Sequence, residues 1–547
     1  MPARQSFASR LKNFTAERSG NLRLFQLTRK VAAKARPREN DRPVIFFNAS
    51  TRMTGLSLNA AFAYLTACGL QLAGAPVVQF ACRAGMSRCV LGTNRDDHTK
   101  APPCRSCMAQ SERLFSNAPT VWFEYRQDPA LAKVLEELSL EEMSNFEWLA
   151  PEGQGICSPI PLGRLVMPSL RWALRLHHLP DDEPTRFLLR QYILSACNVA
   201  ERFSQFLKDV EPETAVIFNG IMYPEATARW VGQQLGVRVV THEVGFRPFS
   251  AFFTDGQATA YPMDIPEDFE LSVEQNARLD DYLERRFQGK FTMAGIRFWQ
   301  EMHVLGDDFD QRVAGFRQIV PIFSNVVYDT SQVHANAVFS QMFAWLDLIL
   351  EIIRAHPETF FVLRAHPDEM RPGTAKQSRE SVQEWVARNQ VDQLPNVMFV
   401  NSQEYLSSYE LIDRAKFVMV YNSSIGLEAT LLGAQVLCGG KARYTQYPIV
   451  NFPDSQEEFR LRAEELLAAS DPIEVPAEFR RNARRFMYYQ LYRASLPFDE
   501  FLESHPRLGY VRLKRFSWRK LTAEHSPTMR VLVDGILHSK PFVSKEA

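Results

Sequence analysis

Twice along this chain a short apolar run ends in a small polar turn, continues as a helical pattern and meets another apolar run. Pro43-Val-Ile-Phe-Phe-Asn48 leads into Ala49-Ser-Thr-Arg-Met-Thr-Gly55, Leu56 to Ala73 has helical spacing, and Pro76-Val-Val-Gln-Phe-Ala81 follows. Thr214-Ala-Val-Ile-Phe218, the turn Asn219-Gly220, a helical stretch over 224–235 and Val237-Arg-Val-Val-Thr-His242 repeat the pattern. Strand–loop–helix–strand units of this kind build parallel sheets. They predict one doubly wound α/β domain over 41–265. A second set of runs, Gln318–Phe323, Phe360–Arg364, Val397–Val400, Phe417–Tyr421 and Ala434–Leu437, predicts a second such domain over 315–475. The charged, strand-free stretch 266–314 reads as a helical connection. Residues 476–547 read as a helix returning to the first domain, followed by a basic tail.

Lys+Arg and Asp+Glu both number 63, which argues against a nucleic-acid-coating protein. The charge is unevenly placed. Residues 1–42 carry a net +8 and residues 505–547 a net +6. Basic ends interleaved with Phe7, Leu11, Phe14, Leu22, Phe25, Phe516 and Trp518 suit an anionic lipid surface; solvated tails are the plainer alternative. Within the basic leader 1–40, residues 4–38, Arg-rich and acid-poor, also have the composition of a transit peptide. No run of 18 apolar residues predicts a membrane-spanning helix, and no compact apolar segment with a cleavage site predicts a secretory signal. The eight cysteines therefore read as reduced, and the expected location is the cytoplasm, peripheral to the inner face of the cell membrane.

Two segments at strand ends carry chemistry. In Tyr421-Asn-Ser-Ser-Ile-Gly-Leu-Glu428 a strand turns into a helix near Gly426. Free N–H groups and the hydroxyls of Ser423 and Ser424 make an anion site there, Gly426 admits a phosphate to the backbone, and Glu428 can reach a ribose hydroxyl. Capping by the serines is the alternative. In Leu363-Arg-Ala-His-Pro-Asp-Glu369, Pro367 ends the strand, and Arg364 and His366 can bind phosphate or base, or His366 can give a proton to a leaving phosphate. A purely structural histidine is the alternative.

These motifs, with Asn325-Val-Val-Tyr-Asp329, Ser407-Ser-Tyr409, Gly433 and Gly439-Gly440, resemble the C-terminal half of capsule polysaccharide biosynthesis proteins, GT-B-fold glycosyltransferases similar to Kdo transferases. The resemblance covers about 315–500 and is looser before that. It implies two Rossmann-like domains facing across a cleft. The C-terminal domain would bind a nucleotide-sugar donor through Arg364, His366, Ser423, Ser424, Gly426 and Glu428. The N-terminal one would bind a polysaccharide or lipid-linked acceptor. The retaining pattern of this fold has a glutamate eight positions before another. Val420 stands eight before Glu428, so an inverting displacement is expected, with no cofactor required for catalysis. Its base must come from the first domain: Glu243, with His242 beside it, ends a strand there, and Ser50, Thr51 and Gly55 are expected acceptor contacts. A polyol-phosphate transferase of the teichoic-acid type and a non-catalytic sugar-binding scaffold are the alternative readings.

Finally, Cys82, Cys89, Cys104 and Cys107 fall within 26 residues, and the last two have knuckle spacing. Four thiolates so spaced can hold structural zinc; separate thiols are the alternative.

Overall fold

The computed structural model describes residues 7–38, 41–49, 55–149, 158–288, 305–370, 377–404, 406–470, 472–507 and 509–545. The chain divides into two compact units, one of residues 1–174, 179–261 and 491–547, the other of 175–178 and 262–490.

In the first unit the chain forms β1 (Val44–Asn48), β2 (Val77–Cys82), β3 (Thr120–Phe123), β4 (Thr214–Phe218), β5 (Arg238–Val244) and β6 (Ser250–Thr254). The second unit holds β7 (Gln318–Phe323), β8 (Thr359–Arg364), β9 (Val397–Val400), β10 (Val418–Val420) and β11 (Val436–Cys438). The chain then adds β12 (Leu496–Pro497) to the first sheet and makes a hairpin of β13 (Leu502–Ser504) and β14 (Val511–Leu513).

The first sheet runs β12-β6-β5-β4-β1-β2-β3, parallel from β5 to β3, with β6 and β12 antiparallel. The middle strand of its parallel part, β1, is apolar without alternation because both of its faces are covered. Phe46 joins the core packed by the helix Leu58–Leu72, with Phe62 and Leu65. Phe47 faces the other way, 5.8 Å from Phe80 and 5.1 Å from Phe203 of the long helix Glu183–Val210. The second sheet runs β11-β10-β7-β8-β9, all parallel. Both units are thus doubly wound α/β structures, as the strand–helix alternation predicts.

Three expectations about organisation change. The basic leader is a helix, Phe7–Lys34, whose Leu24, Leu27 and Val31 enter the first unit's core. At the other end Phe516 and Trp518 pack against that same core. Leu22 and Phe25 remain more than half exposed on the leader helix.

The connection 266–314 belongs to the second unit, and so does the helix Ala477–Tyr488, which was expected to return to the first. The reason is polar. Arg485 donates to the carbonyls of Phe269 and Pro266, each at 2.7 Å, and Arg484 pairs with Asp280 at 2.7 Å. The return begins at Leu491.

Candidate functional site

Strand order locates a site in the second unit. From β7 the chain winds outward through β8 and β9, then crosses back to lay β10 and β11 on β7's other side. The loops leaving β7 and β10 therefore diverge, and the crevice between them is where open α/β sheets take ligands. Asn325, just beyond β7, donates from Nδ2 to Asn422 Oδ1, just beyond β10, at 2.6 Å. Asn325 Oδ1 in turn accepts the N–H of Val326 at 2.8 Å. This amide bridge fixes both loops. Sequence reasoning had not singled out Asn422; its place directly after an apolar run was the available signal.

Ser423 and Ser424 follow. Ser424 occupies the N-cap of the helix Ile425–Leu432 but does not cap it with its side chain, and Ser423 serves the fold through its carbonyl, which accepts from Tyr444 at 2.8 Å. The capping alternative therefore fails: the half-buried hydroxyls stand at a helix N-terminus with no capping duty.

β8 ends beside this crevice. Arg364 is 3% exposed and donates to the carbonyl of Leu406; burial lowers its pKa to about 10. His366 is half-buried, and its Nδ1 accepts the N–H of Asp368 at 3.1 Å. That bond assigns the neutral ring's proton to Nε2 and makes Nε2 a donor. Glu369, three residues on, is buried. One oxygen accepts the N–H of Val382 at 2.7 Å, the other has no hydrogen-bond partner among the described residues, and burial raises the carboxyl to about 8.

Two expected donor contacts turn out to be architecture. Glu428 is 2% exposed, and both of its oxygens are engaged: Oε1 by Arg286 at 2.6 Å and Oε2 by the Tyr409 hydroxyl at 2.6 Å. Arg286 lies in the helix Val273–Phe287, so this ion pair ties the supposed connection to the helix Ile425–Leu432. Burial opposes the arginine's charge, yet the Glu428 carboxylate outweighs it and holds the pKa above its ordinary value. Gly426 is glycine because a Cβ there would strike the Tyr444 hydroxyl and lie 3.0 Å from Val420. Its bare Cα receives a phenol rather than a phosphate.

The first unit has the same kind of edge, where the order changes between β1 and β4. Glu243, late in β5, is half-buried there. Its Oε2 accepts from Asn219 Nδ2 at 2.7 Å, and its Oε1 accepts the N–H of Val244 at 2.8 Å and Asn59 Nδ2 at 3.4 Å. Asn219 follows β4 and Asn59 opens the helix after β1, so three elements orient this carboxylate.

His242 is a correction. Strand alternation sends it the other way, into the core, 5.1 Å from Phe253 and 5.8 Å from Phe218. Burial drops its pKa to about 3, so it stays neutral, and it does not act at the edge. Gly55 has φ +77°, and a Cβ there would lie 2.8 Å from the Tyr510 ring, so its place is taken by packing. Ser50 and Thr51 lie outside the described residues. The four clustered cysteines do converge, on the wall of a single pocket.

These features define a class: a two-unit α/β protein whose second sheet ends in a polar, hydroxyl-bearing crevice suited to an anionic or sugar-bearing ligand. Residues 277–464 match the family described as "Capsule polysaccharide biosynthesis protein", so the resemblance carried by the sequence motifs holds for this segment. The match starts inside the Arg286 helix, earlier than the motifs suggested. Protein FixF of Sinorhizobium fredii is 28% identical over 109 residues, 20% of this chain and 23% of that protein; the chain thus matches under a quarter of this relative's length. Among solved structures, the beta Kdo 2,4 transferase of Thermosulfurimonas dismutans KpsC aligns at 11% identity and a TM-score of 0.33, over 55% of this chain and 84% of that one. The beta Kdo 2,7 transferase of the same protein aligns at 13% and 0.31, over 57% and 85%.

Proposed function

We propose that this protein is a glycosyltransferase of capsule or surface polysaccharide synthesis. It takes its sugar from a nucleotide-sugar donor held in the β7/β10 crevice of the second unit. The observation that carries this reading is the pair Ser423 and Ser424. Their hydroxyls stand at a strand-to-helix turn and at a topological switch point, and they do not cap the helix. A leaving nucleotide phosphate would be met there by hydroxyls and helix N–H groups, with His366 Nε2–H as a further donor, so the leaving charge is stabilised by fixed dipoles. Arg364, turned inward, would position the edge and contribute its field.

On the acceptor side Glu243 would take the proton from the attacking hydroxyl, and direct displacement by that hydroxyl inverts the anomeric carbon. The acceptor would be a growing polysaccharide or a lipid-linked sugar. The leader helix, basic and bearing exposed Leu22 and Phe25, would meet a membrane surface.

A thermal-shift screen of CMP-, UDP- and GDP-sugars followed by donor-hydrolysis assays tests the reading. One nucleotide class should raise the melting temperature, and replacing both Ser423 and Ser424 by Ala should abolish that rise without lowering the melting temperature of the free protein. Glu243→Gln should keep donor affinity and lose about 100- to 10,000-fold in turnover. A donor that binds but is neither hydrolysed nor transferred would make the protein a scaffold.

A further inference from the structure

We propose that Cys82, Cys89, Cys104 and Cys107 form a four-thiolate site for a thiophilic metal centre, zinc or an iron–sulfur cluster, in the first unit. All four residues line one pocket, open on one side to solvent, with Met86, Leu91 and Pro102 on its apolar wall. They come from three places: the end of β2, the loop after it, and the first turn of the helix Cys104–Phe115. Residues i and i+3 of a helix share a face, so Cys104 and Cys107 present their sulfurs together.

The backbone is shaped around two of these sulfurs. Cys82 Sγ accepts the N–H of Gly85 at 3.1 Å, and Cys89 Sγ accepts the N–H of Gly92 at 3.2 Å. Both are Cys-x-x-Gly turns with the same bond from position i to i+3. A Cβ at Gly85 would collide with Phe123; one at Gly92 would lie 2.7 Å from Pro102 and 2.9 Å from the Cys89 sulfur. Between Cys82 and Gly85, Ala84 takes φ +51°, a left-handed conformation costly for a residue with a Cβ. Backbone N–H groups aimed at sulfur, in turns kept open by glycine, suit a sulfur that carries charge. Such hydrogen bonds orient and tune metal-bound thiolates.

Without a cation that charge is unfavourable. A metal reverses this balance by binding the deprotonated sulfurs and releasing their protons.

The spacing bears on the occupant. Among the described residues, Asp128, Cys197 and Glu201 are the trio whose ligand atoms all lie within 4.8 Å of one another. The four sulfurs are therefore spread wider than a closed zinc tetrahedron, whose edge is about 3.8 Å for a Zn–S bond of about 2.3 Å. Zinc would draw them inward; a cluster, also held by four cysteine thiolates, spans a wider set. Ala49, directly after β1, lines the same pocket, so the centre would brace the end of that strand.

The full-length protein, purified without oxygen from cells supplied with iron and zinc, is assayed for both metals and for acid-labile sulfide. About one zinc per chain supports a mononuclear site. About four iron with matching sulfide and a broad visible absorption supports a cluster. Replacing Cys104 and Cys107 by Ser should lose the metal, whereas Cys438→Ala, in the other unit, should keep it. As a check independent of the variants, stripping wild-type metal with a chelator should lower its melting temperature and free four additional thiols for alkylation. Folded wild-type protein that holds no metal after reconstitution with zinc, or with iron and sulfide, and whose four thiols alkylate freely, overturns the proposal.

Discussion

Glu428→Ala separates a ligand contact from a structural ion pair. The carboxylate it removes is 2% exposed and holds Arg286 and Tyr409 at 2.6 Å each. Arg286 would be left as a buried cation, its side chain 9% exposed, with the Tyr282 hydroxyl at 3.0 Å as a weak substitute. Breaking a buried pair from one side costs about 3–5 kcal/mol, because the surviving charge stays desolvated. The orphaned Tyr409 hydroxyl adds to that, though the two losses share one site and do not sum. In a unit of this size about 1 kcal/mol moves the melting temperature by roughly 2–4 °C, so the variant should melt on the order of 10 °C lower. Calorimetry on Glu428→Ala, Arg286→Met and the double variant reads this directly. The double variant should be less destabilised than the two single ones added together, by more than about 2 kcal/mol. Additive effects, or a single variant that melts normally while losing donor binding tenfold, would refute the structural assignment and return Glu428 to the ligand.

Glu369 titrates near 8 in the fold and near 4.3 when unfolded, so its contribution to stability is complete below about pH 4.3 and lost as pH rises to 8. Glu369→Gln, which keeps an acceptor for Val382, should flatten this fall; identical melting curves from pH 5 to 8 would count against it. His242 has the opposite sign. Its folded pKa near 3 lies below the unfolded value of about 6.5, so stability is present above 6.5 and lost as pH falls toward 3. His242→Phe should remove that acid sensitivity and leave turnover intact, and a large loss of turnover at neutral pH would restore a catalytic role. Leu22→Glu with Phe25→Glu should weaken salt-sensitive sedimentation with anionic vesicles; wild-type protein that never sediments with them would end the membrane reading.

The strands legible in the sequence were those apolar on both faces. Val-Ile-Phe-Phe at 44–47 and Phe-Phe-Val-Leu at 360–363 are buried whichever way each residue points, and such runs are hard to read as anything else. β3 and β6 escaped for different reasons. Thr120–Phe123 is a four-residue edge strand with one exposed side chain, and Ser250–Thr254 directly follows a Pro-containing turn. Domain boundaries were less legible still, because Arg286, Arg484 and Arg485 look like solvated charges until their partners are known.

The site shows where motif reading stops. A motif gives residue types at a strand end, but function there depends on which groups remain available after the fold has taken what it needs. Glycine at 426 suits a phosphate-binding turn and also suits a tyrosine hydroxyl pressed against the backbone, and only the position of Tyr444 decides between them. The histidine and glutamate at 242 and 243 are adjacent in sequence and opposite in fate, one in the aromatic core and one at the edge among asparagines. Ser423 and Ser424 differ from Glu428: they stand at the turn from strand to helix, and their hydroxyls are not needed as caps. Spare hydrogen-bonding capacity at a switch point is the stronger sign of a binding site, since a buried carboxylate already fixed by an arginine and a tyrosine would have to give up that bonding to serve a substrate.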